Sequence, residues 1–262
     1  MASTGSERLR DVALPAEHGG WSFTLEPVLL GSIVSWSGAG LALGLAALVA
    51  FLLRTPLKTW MVDRRRDRTL ERTVLARQVA AAEAFVLVGL MAAAWVLSKH
   101  EFWVPLAVAA PLVAIEFGFD IRSRSRRLAP ELAGAVALGS VATAIALAGG
   151  ASGVVAWGLW VVIAARAIAA ILFVRVQLRR AKNQLHRLLT SDAGQLMATG
   201  AVLAGTVAGV VSVPGAVAVA AMAVLHVVLV RLSPPKAPIL GAQQVVIGLA
   251  VVLSAALGAL AP

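Results

Sequence analysis

The chain has 262 residues, 60% of them hydrophobic and 14% charged, with a formal net charge of +10. Soluble globular domains run at roughly 45–50% apolar and 25% charged residues, so this composition excludes a soluble domain and assigns the chain to a bilayer. With no cysteine, disulfide scaffolds and haem-thiolate, iron–sulfur or cysteine–zinc chemistry are excluded as well.

A helix that crosses about 30 Å of hydrocarbon needs roughly 17–25 mostly apolar residues. Nine such stretches are predicted, near residues 22–37, 41–62, 75–97, 103–119, 131–148, 154–174, 192–211, 215–232 and 240–260. Polar or turn-forming breaks separate them, such as Ser37-Gly38-Ala39-Gly40, Lys99-His100-Glu101 and Pro234-Pro235-Lys236. Of the 23 Lys and Arg residues, 21 fall in or beside alternate connections, leaving Lys99 on the other face and Arg166 inside the sixth span. That partition, rather than nucleic-acid binding, accounts for the positive charge. By the positive-inside rule the N-terminus is cytoplasmic and the C-terminus outside. The expectation is an all-α polytopic transmembrane helix bundle of about nine helices in the plasma membrane. It forms one integral membrane domain over 1–262 with a short cytoplasmic segment 1–20. The segment before Glu17 lacks the apolar core of a secretory signal peptide. Ala, Gly and Ser in every span suit close helix packing.

An ionisable residue inside a span costs about 2.5–3.5 kcal/mol near the helix centre on insertion scales. Glu26, Arg54, Lys58, Glu83, Glu116, Arg166 and His226 are such residues. Arg54, Lys58, Glu83 and Glu116 belong to spans two to four and predict a polar chamber open to the cytoplasm. Glu83 with Lys58 or Arg54 reads equally as a structural pair, and Arg166 and His226 stand isolated as packing or helix-pairing features. Off the second span runs Arg54-Thr-Pro-Leu-Lys58-Thr-Trp-Met-Val-Asp63-Arg-Arg-Arg-Asp67-Arg68. On a continuing helix Asp63 and Asp67 stand at i and i+4, about 6 Å apart on one face, a spacing that suits Mg²⁺ completed by water and substrate phosphates. Arg54, Lys58 and Arg68 then supply charge-assisted contacts to the phosphates. A solvated helix whose aspartates pair with neighbouring arginines is the plainer reading.

In His18-Gly19-Gly20-Trp21 two glycines free backbone N–H groups at a helix start, where anions are favoured. His18 adds a proton or hydrogen bond there, and an interfacial anchor at Trp21 is the alternative. The clusters Arg122 to Arg127 and Arg175 to Arg187 read as orientation signals in contact with anionic lipid. Asp120, one turn from Glu116, faces Arg122 and Arg124, while Lys182 and Asn183 flank Arg175 and Arg179, so a converging anion site is a second reading. Thr190-Ser191-Asp192 is expected to cap the seventh span. His18, His100, His186 and His226 form no facing pair for haem. No P-loop, Ser-His-Asp arrangement or zinc spacing is present.

The order of these features resembles the UbiA superfamily of intramembrane prenyltransferases. Its members have nine helices, a cytoplasmic N-terminus and an Asn-Asp-x-x-Asp-x-x-x-Asp-Arg motif at the cytoplasmic end of the second helix. Here Thr59-Trp60-Met61-Val62-Asp63-Arg64-Arg65-Arg66-Asp67-Arg68 keeps the last two aspartates and the arginine but not the leading Asn-Asp. The basic run into Pro130-Glu131 and Gly134 is also similar. After the sixth span, Arg175-Val-Gln-Leu-Arg179-Arg180-Ala-Lys182-Asn183 replaces the second aspartate motif of those enzymes. Over the whole length, Pro15-Ala16-Glu17-His18-Gly19-Gly20-Trp21-Ser22 leading into Pro27 and Gly31, with the Arg-rich loops, resembles the YwiC-like family of bacterial membrane proteins.

The resemblances imply a UbiA-like protein that binds a prenyl diphosphate or other anionic lipid in a cytoplasm-facing chamber and transfers a prenyl chain. Asp63 and Asp67 would hold Mg²⁺ and, with Arg68, act catalytically. His18, Trp21, Arg54, Lys58, Glu83, Asp120, Arg122, Arg124, Arg175, Arg179, Lys182 and Asn183 would surround the substrate. The competing expectations are a transporter or binding protein for a small anion or lipid, with no covalent chemistry, and a structural subunit of a larger membrane complex.

Overall fold

Runs of Ala, Leu and Val interrupted by Gly, Ser and Pro fold as helices joined by short turns. The computed structural model describes residues 9, 12–14, 18–98, 100–124 and 126–261, without the side chains of His18 and Gly19. Among the described residues the helices are α1 (His18–Val34), α2 (Gly38–Arg65), α3 (Glu71–Leu97), α4 (Trp103–Ile121), α5 (Leu128–Ala148), α6 (Gly153–Ala181), α7 (Leu188–Val207), α8 (Val213–Leu229) and α9 (Ala237–Leu260). No strand occurs among them. Six, α2 to α6 and α9, are long and apolar enough to cross a membrane, and α1 and α8 are apolar but shorter. Each predicted span coincides with one helix. α2 and α6 run further than expected, to Arg65 and Ala181, because Arg64, Arg65, Arg179 and Arg180 in their last turns complement the negative end of the helix dipole.

Three helices stop in the same way at the arginine-rich end. After α2, α4 and α6 the chain turns through Asp67 (φ 50), Ser123 (φ 56) and Asn183 (φ 52), each in the left-handed region. Asp67 N–H donates to the Arg64 carbonyl at 3.2 Å and Arg68 N–H to the Asp63 carbonyl at 3.0 Å, and matching pairs follow α4 and α6. These bonds satisfy the last carbonyls of each helix. At the other end of the bundle Gly150 and Gly209 take the left-handed position.

α5 and α6 form the enclosed centre, where Ala142, Ala144, Ala146 and Ala169 are buried and small side chains let backbones approach closely. Side chains also bond across helices to backbone carbonyls: Thr143 Oγ1 to Ala156 at 2.9 Å, Trp160 Nε1 to Val136 at 2.8 Å and Gln177 Nε2 to Leu229 at 2.9 Å. In a membrane such bonds average about 0.6 kcal/mol each. α3 packs along α2 and α4 along α5, while α7, α8 and α9 complete the bundle and α9 returns against α1. α3 and α4, though consecutive, barely touch. The two helix pairs therefore leave a chamber between them.

Candidate functional site

Arg54 stands about three turns inside the basic end of α2. Its Nε donates to Asp120 Oδ2 at 2.7 Å and its Nη2 to Asp120 Oδ1 at 3.3 Å, while Nη1 lies 2.9 Å from Glu116 Oε1. Glu116 and Asp120 are one turn apart on α4, so one guanidinium reaches both. Lys58 Nζ lies 3.7 Å from Asp120 Oδ1. Asp120 is fully buried, and a buried carboxylate is tolerated only with such partners. Gly134 of α5 provides the room, since a Cβ there would overlap the Glu116 carboxylate.

Two compartments meet at this junction. A vestibule of about 370 Å³ toward the arginine-rich end is lined by Arg54, Thr55, Lys58, Thr59, Asp63, Arg66, Arg72 and Ser123, with Phe51 and Val62. Four cations there face one carboxylate, and three hydroxyls stand beside them. A chamber of about 1120 Å³ has apolar walls that include Leu43, Leu87, Met91, Leu106, Val113, Phe117 and Leu138. At its polar end Arg54, Arg126 and Arg175 are balanced by Glu116, Asp120 and Glu131. Arg175 pairs with Glu131 and donates to the Arg126 carbonyl at 3.3 Å. Phe51 and Arg54 line both compartments and form the neck between them. Trp21 packs edge-on against Phe51 with ring centroids 5.1 Å apart, and a Cβ on Gly20 would meet that ring at 2.7 Å. Gly20 and Trp21 thus seat the aromatic at the neck. The His18 side chain lies outside the described residues.

The expected aspartate pair on one helical face is not formed. α2 ends at Arg65, and Asp67 lies in the left-handed turn beyond it. Asp63 is buried: its Oδ1 accepts from Arg72 Nη2 at 3.0 Å, and its Oδ2 from Arg72 Nε at 3.1 Å and Thr73 Oγ1 at 2.8 Å. Mg²⁺ on Asp63 would have to displace that guanidinium. Among the described residues no three His, Asp or Glu side chains converge. The residues as arranged do not fit a metal pocket.

Of the predicted substrate-contacting residues, Arg54, Lys58, Asp120 and Arg175 converge on the site, and Trp21 borders it. Arg68, Arg122, Arg124, Arg179, Lys182 and Asn183 are exposed and line neither compartment. Glu83 makes no ion pair with Arg54 or Lys58 among the described residues, because those cations turn to α4; its Oε2 is buried without a hydrogen-bond partner. Sequence reasoning did not single out Arg66, Arg72, Ser123, Arg126 or Glu131 for the site. The signal available for Glu131 and Arg175 was one carboxylate and one arginine at the basic ends of consecutive spans. Thr190-Ser191-Asp192 is no cap: α7 begins at Leu188, Ser191 is buried in its first turn, and Asp192 accepts from Arg231 at 2.9 and 3.1 Å. That carboxylate holds the Arg231 guanidinium pKa above its ordinary value.

Arg166 and His226 are not isolated either. Arg166 Nη2 donates to Glu26 Oε1 and to the Gln244 carbonyl, each at 2.8 Å, and the Phe23 ring covers the guanidinium with 5.4 Å to its centroid. Gln195 Nε2 donates to the Ala169 and Ser191 carbonyls at 3.0 and 3.3 Å, which turns its Oε1 to accept from His226 Nδ1 at 3.2 Å. His226 Nε2 then accepts from Gln244 Nε2 at 3.1 Å, so the ring is neutral with its proton on Nδ1. Phe173 stacks on the imidazole at 4.2 Å. This chain of bonds ties α1, α6, α7, α8 and α9 together, and only Phe23, over the Arg166 guanidinium, also lines the chamber.

Fold and site define a multi-pass α-helical membrane protein in which an arginine–carboxylate junction separates a basic vestibule from an apolar chamber. The family model described as YwiC-like protein matches residues 14–146, about half of the chain, and the chain belongs to that family. The matched segment contains every vestibule residue and all of the chamber except its α6 wall. No curated protein and no solved structure matches the chain.

Proposed function

We propose that this protein binds a membrane amphiphile with an anionic head, of which an isoprenyl diphosphate is the type, its head in the vestibule and its chain in the chamber. The arginine-rich end is read as cytoplasmic, since 21 of the 23 basic residues of the sequence fall in or beside the connections assigned to that side, and the membrane is read as the plasma membrane. One observation carries the reading: the vestibule and the chamber share Phe51 and Arg54, so a charged site and an apolar site are contiguous. Arginine forks and threonine or serine hydroxyls are the donors that phosphate oxygens accept from. Transfer of the prenyl chain to a lipophilic acceptor, as the UbiA resemblance implies, is the extension of this reading.

Binding of a long isoprenyl diphosphate to the protein in nanodiscs, with and without Mg²⁺, tests it. Lys58→Gln is expected to weaken binding at least tenfold, about 1.4 kcal/mol, and equal affinity of variant and parent overturns the proposal. Binding of inorganic phosphate with the same affinity as the isoprenyl diphosphate would favour the small-anion reading instead.

A further inference from the structure

The chamber lies at the depth of the membrane-spanning helices, where lipid tails surround the protein. Ala110, Val113 and Ala114 line it from α4 and are exposed. They sit near the middle of a 19-residue membrane-spanning helix. Leu87 and Met91, one turn apart on α3, line the chamber from the other side. α3 rests on α2 and α4 on α5, and the two make little direct contact with each other except near Ala94 and Phe102, which share one apolar cluster. At the far end the gap is closed, where Trp95 and Phe102 meet edge to face at 6.1 Å. The helices therefore part toward the arginine-rich end.

Apolar walls that face hydrocarbon gain nothing from water, and a polar solute loses its hydration there. The occupant that fits both conditions is hydrocarbon. The polar end adds a direction: the neck at Arg54 leads into a vestibule where Arg54, Lys58, Arg66 and Arg72 meet Asp63, Asp120 and Glu116, a surplus of one positive charge that complements an anionic head. We propose that the chamber is reached sideways from the bilayer through the gap between α3 and α4, and that it takes the hydrocarbon chain of a lipid already resident in the leaflet at the arginine-rich end. This rests on the amphiphile reading for the head but stands on the α3–α4 gap for the chain.

The test uses the full chain in vesicles of phosphatidylcholine carrying a chain-borne diazirine, with and without added phosphatidylglycerol, and maps photolabelled residues by mass spectrometry. Phe85 and Val88, 82% and 67% exposed on α3, report ordinary lipid contact. Labelling of Leu87 or Met91, both only partly exposed chamber residues, is the expected result as well. Ala110→Trp and, separately, Ala114→Trp fill the gap and are expected to remove chamber labelling while Phe85 and Val88 stay labelled. Chamber residues that stay unlabelled beside a labelled Phe85 overturn sideways access, as does chamber labelling that survives both substitutions. Chamber labelling in pure phosphatidylcholine with no increase on adding phosphatidylglycerol supports sideways access and counts against the anionic-head reading alone.

Discussion

Gly248 of α9 lies against the Glu26 carboxylate of α1, where a Cβ would overlap Glu26 Oε1 and stand 2.6 Å from Arg166 Nη2. The buried ion pair of the bundle therefore depends on a missing methyl group. Gly248→Ala is expected to lower stability by about 1–3 kcal/mol, the usual range for overpacking, seen as a lower Tm in detergent. An unchanged Tm would mean that the Glu26–Arg166 contact gives way without loss.

Breaking that pair from one side leaves a charge without its partner inside the membrane. Glu26→Gln and Arg166→Met are each expected to cost about 3–5 kcal/mol, and the double variant to recover much of the loss. A double variant as unstable as the sum of the singles would refute the charge-pair account.

Asp67 and Asn183 both hold left-handed turns after basic helices. Asp67→Gly and Asn183→Gly are therefore expected to keep or raise stability, because glycine removes a strain of about 1 kcal/mol. If Asp67 instead held Mg²⁺, Asp67→Gly would abolish Mg²⁺-dependent binding of isoprenyl diphosphate, so a titration with and without the metal separates the two roles.

Gly134→Ala pushes the Glu116 carboxylate off its seat and with it one of the anchors of Arg54. The expected outcome is a change of at least about threefold in amphiphile affinity, roughly 0.7 kcal/mol, with the helical content by circular dichroism retained. Unaltered affinity would place the Arg54 junction outside ligand binding.

Much of the fold was legible because a hydrocarbon solvent demands long apolar helices and places basic residues on one side. Of the four residues expected to form a polar chamber, Arg54 and Glu116 line the polar end of a mainly apolar one and Lys58 the vestibule, whereas Glu83 lines neither compartment. What could not be read was partner choice. Asp63 and Asp67 look like a pair only if the helix continues, and the turn that ends α2 depends on backbone bonds that no side-chain pattern announces. Arg166 and His226 look isolated because their partners Glu26 and Gln244 are 140 and 18 residues away in sequence. The α3–α4 gap is likewise a property of how helix pairs diverge, and Leu87 or Ala110 carries no mark of it.

The same 140-residue separation between Glu26 and Arg166 sets a schedule for making the protein. At roughly 5–20 residues per second, α1 emerges about 7–28 s before the arginine that neutralises it. During that interval a lone glutamate faces the membrane, so α1 must stay with the insertion machinery or at the water interface until α6 arrives. A nascent chain truncated before Arg166 should therefore retain a first helix that is extractable from the membrane.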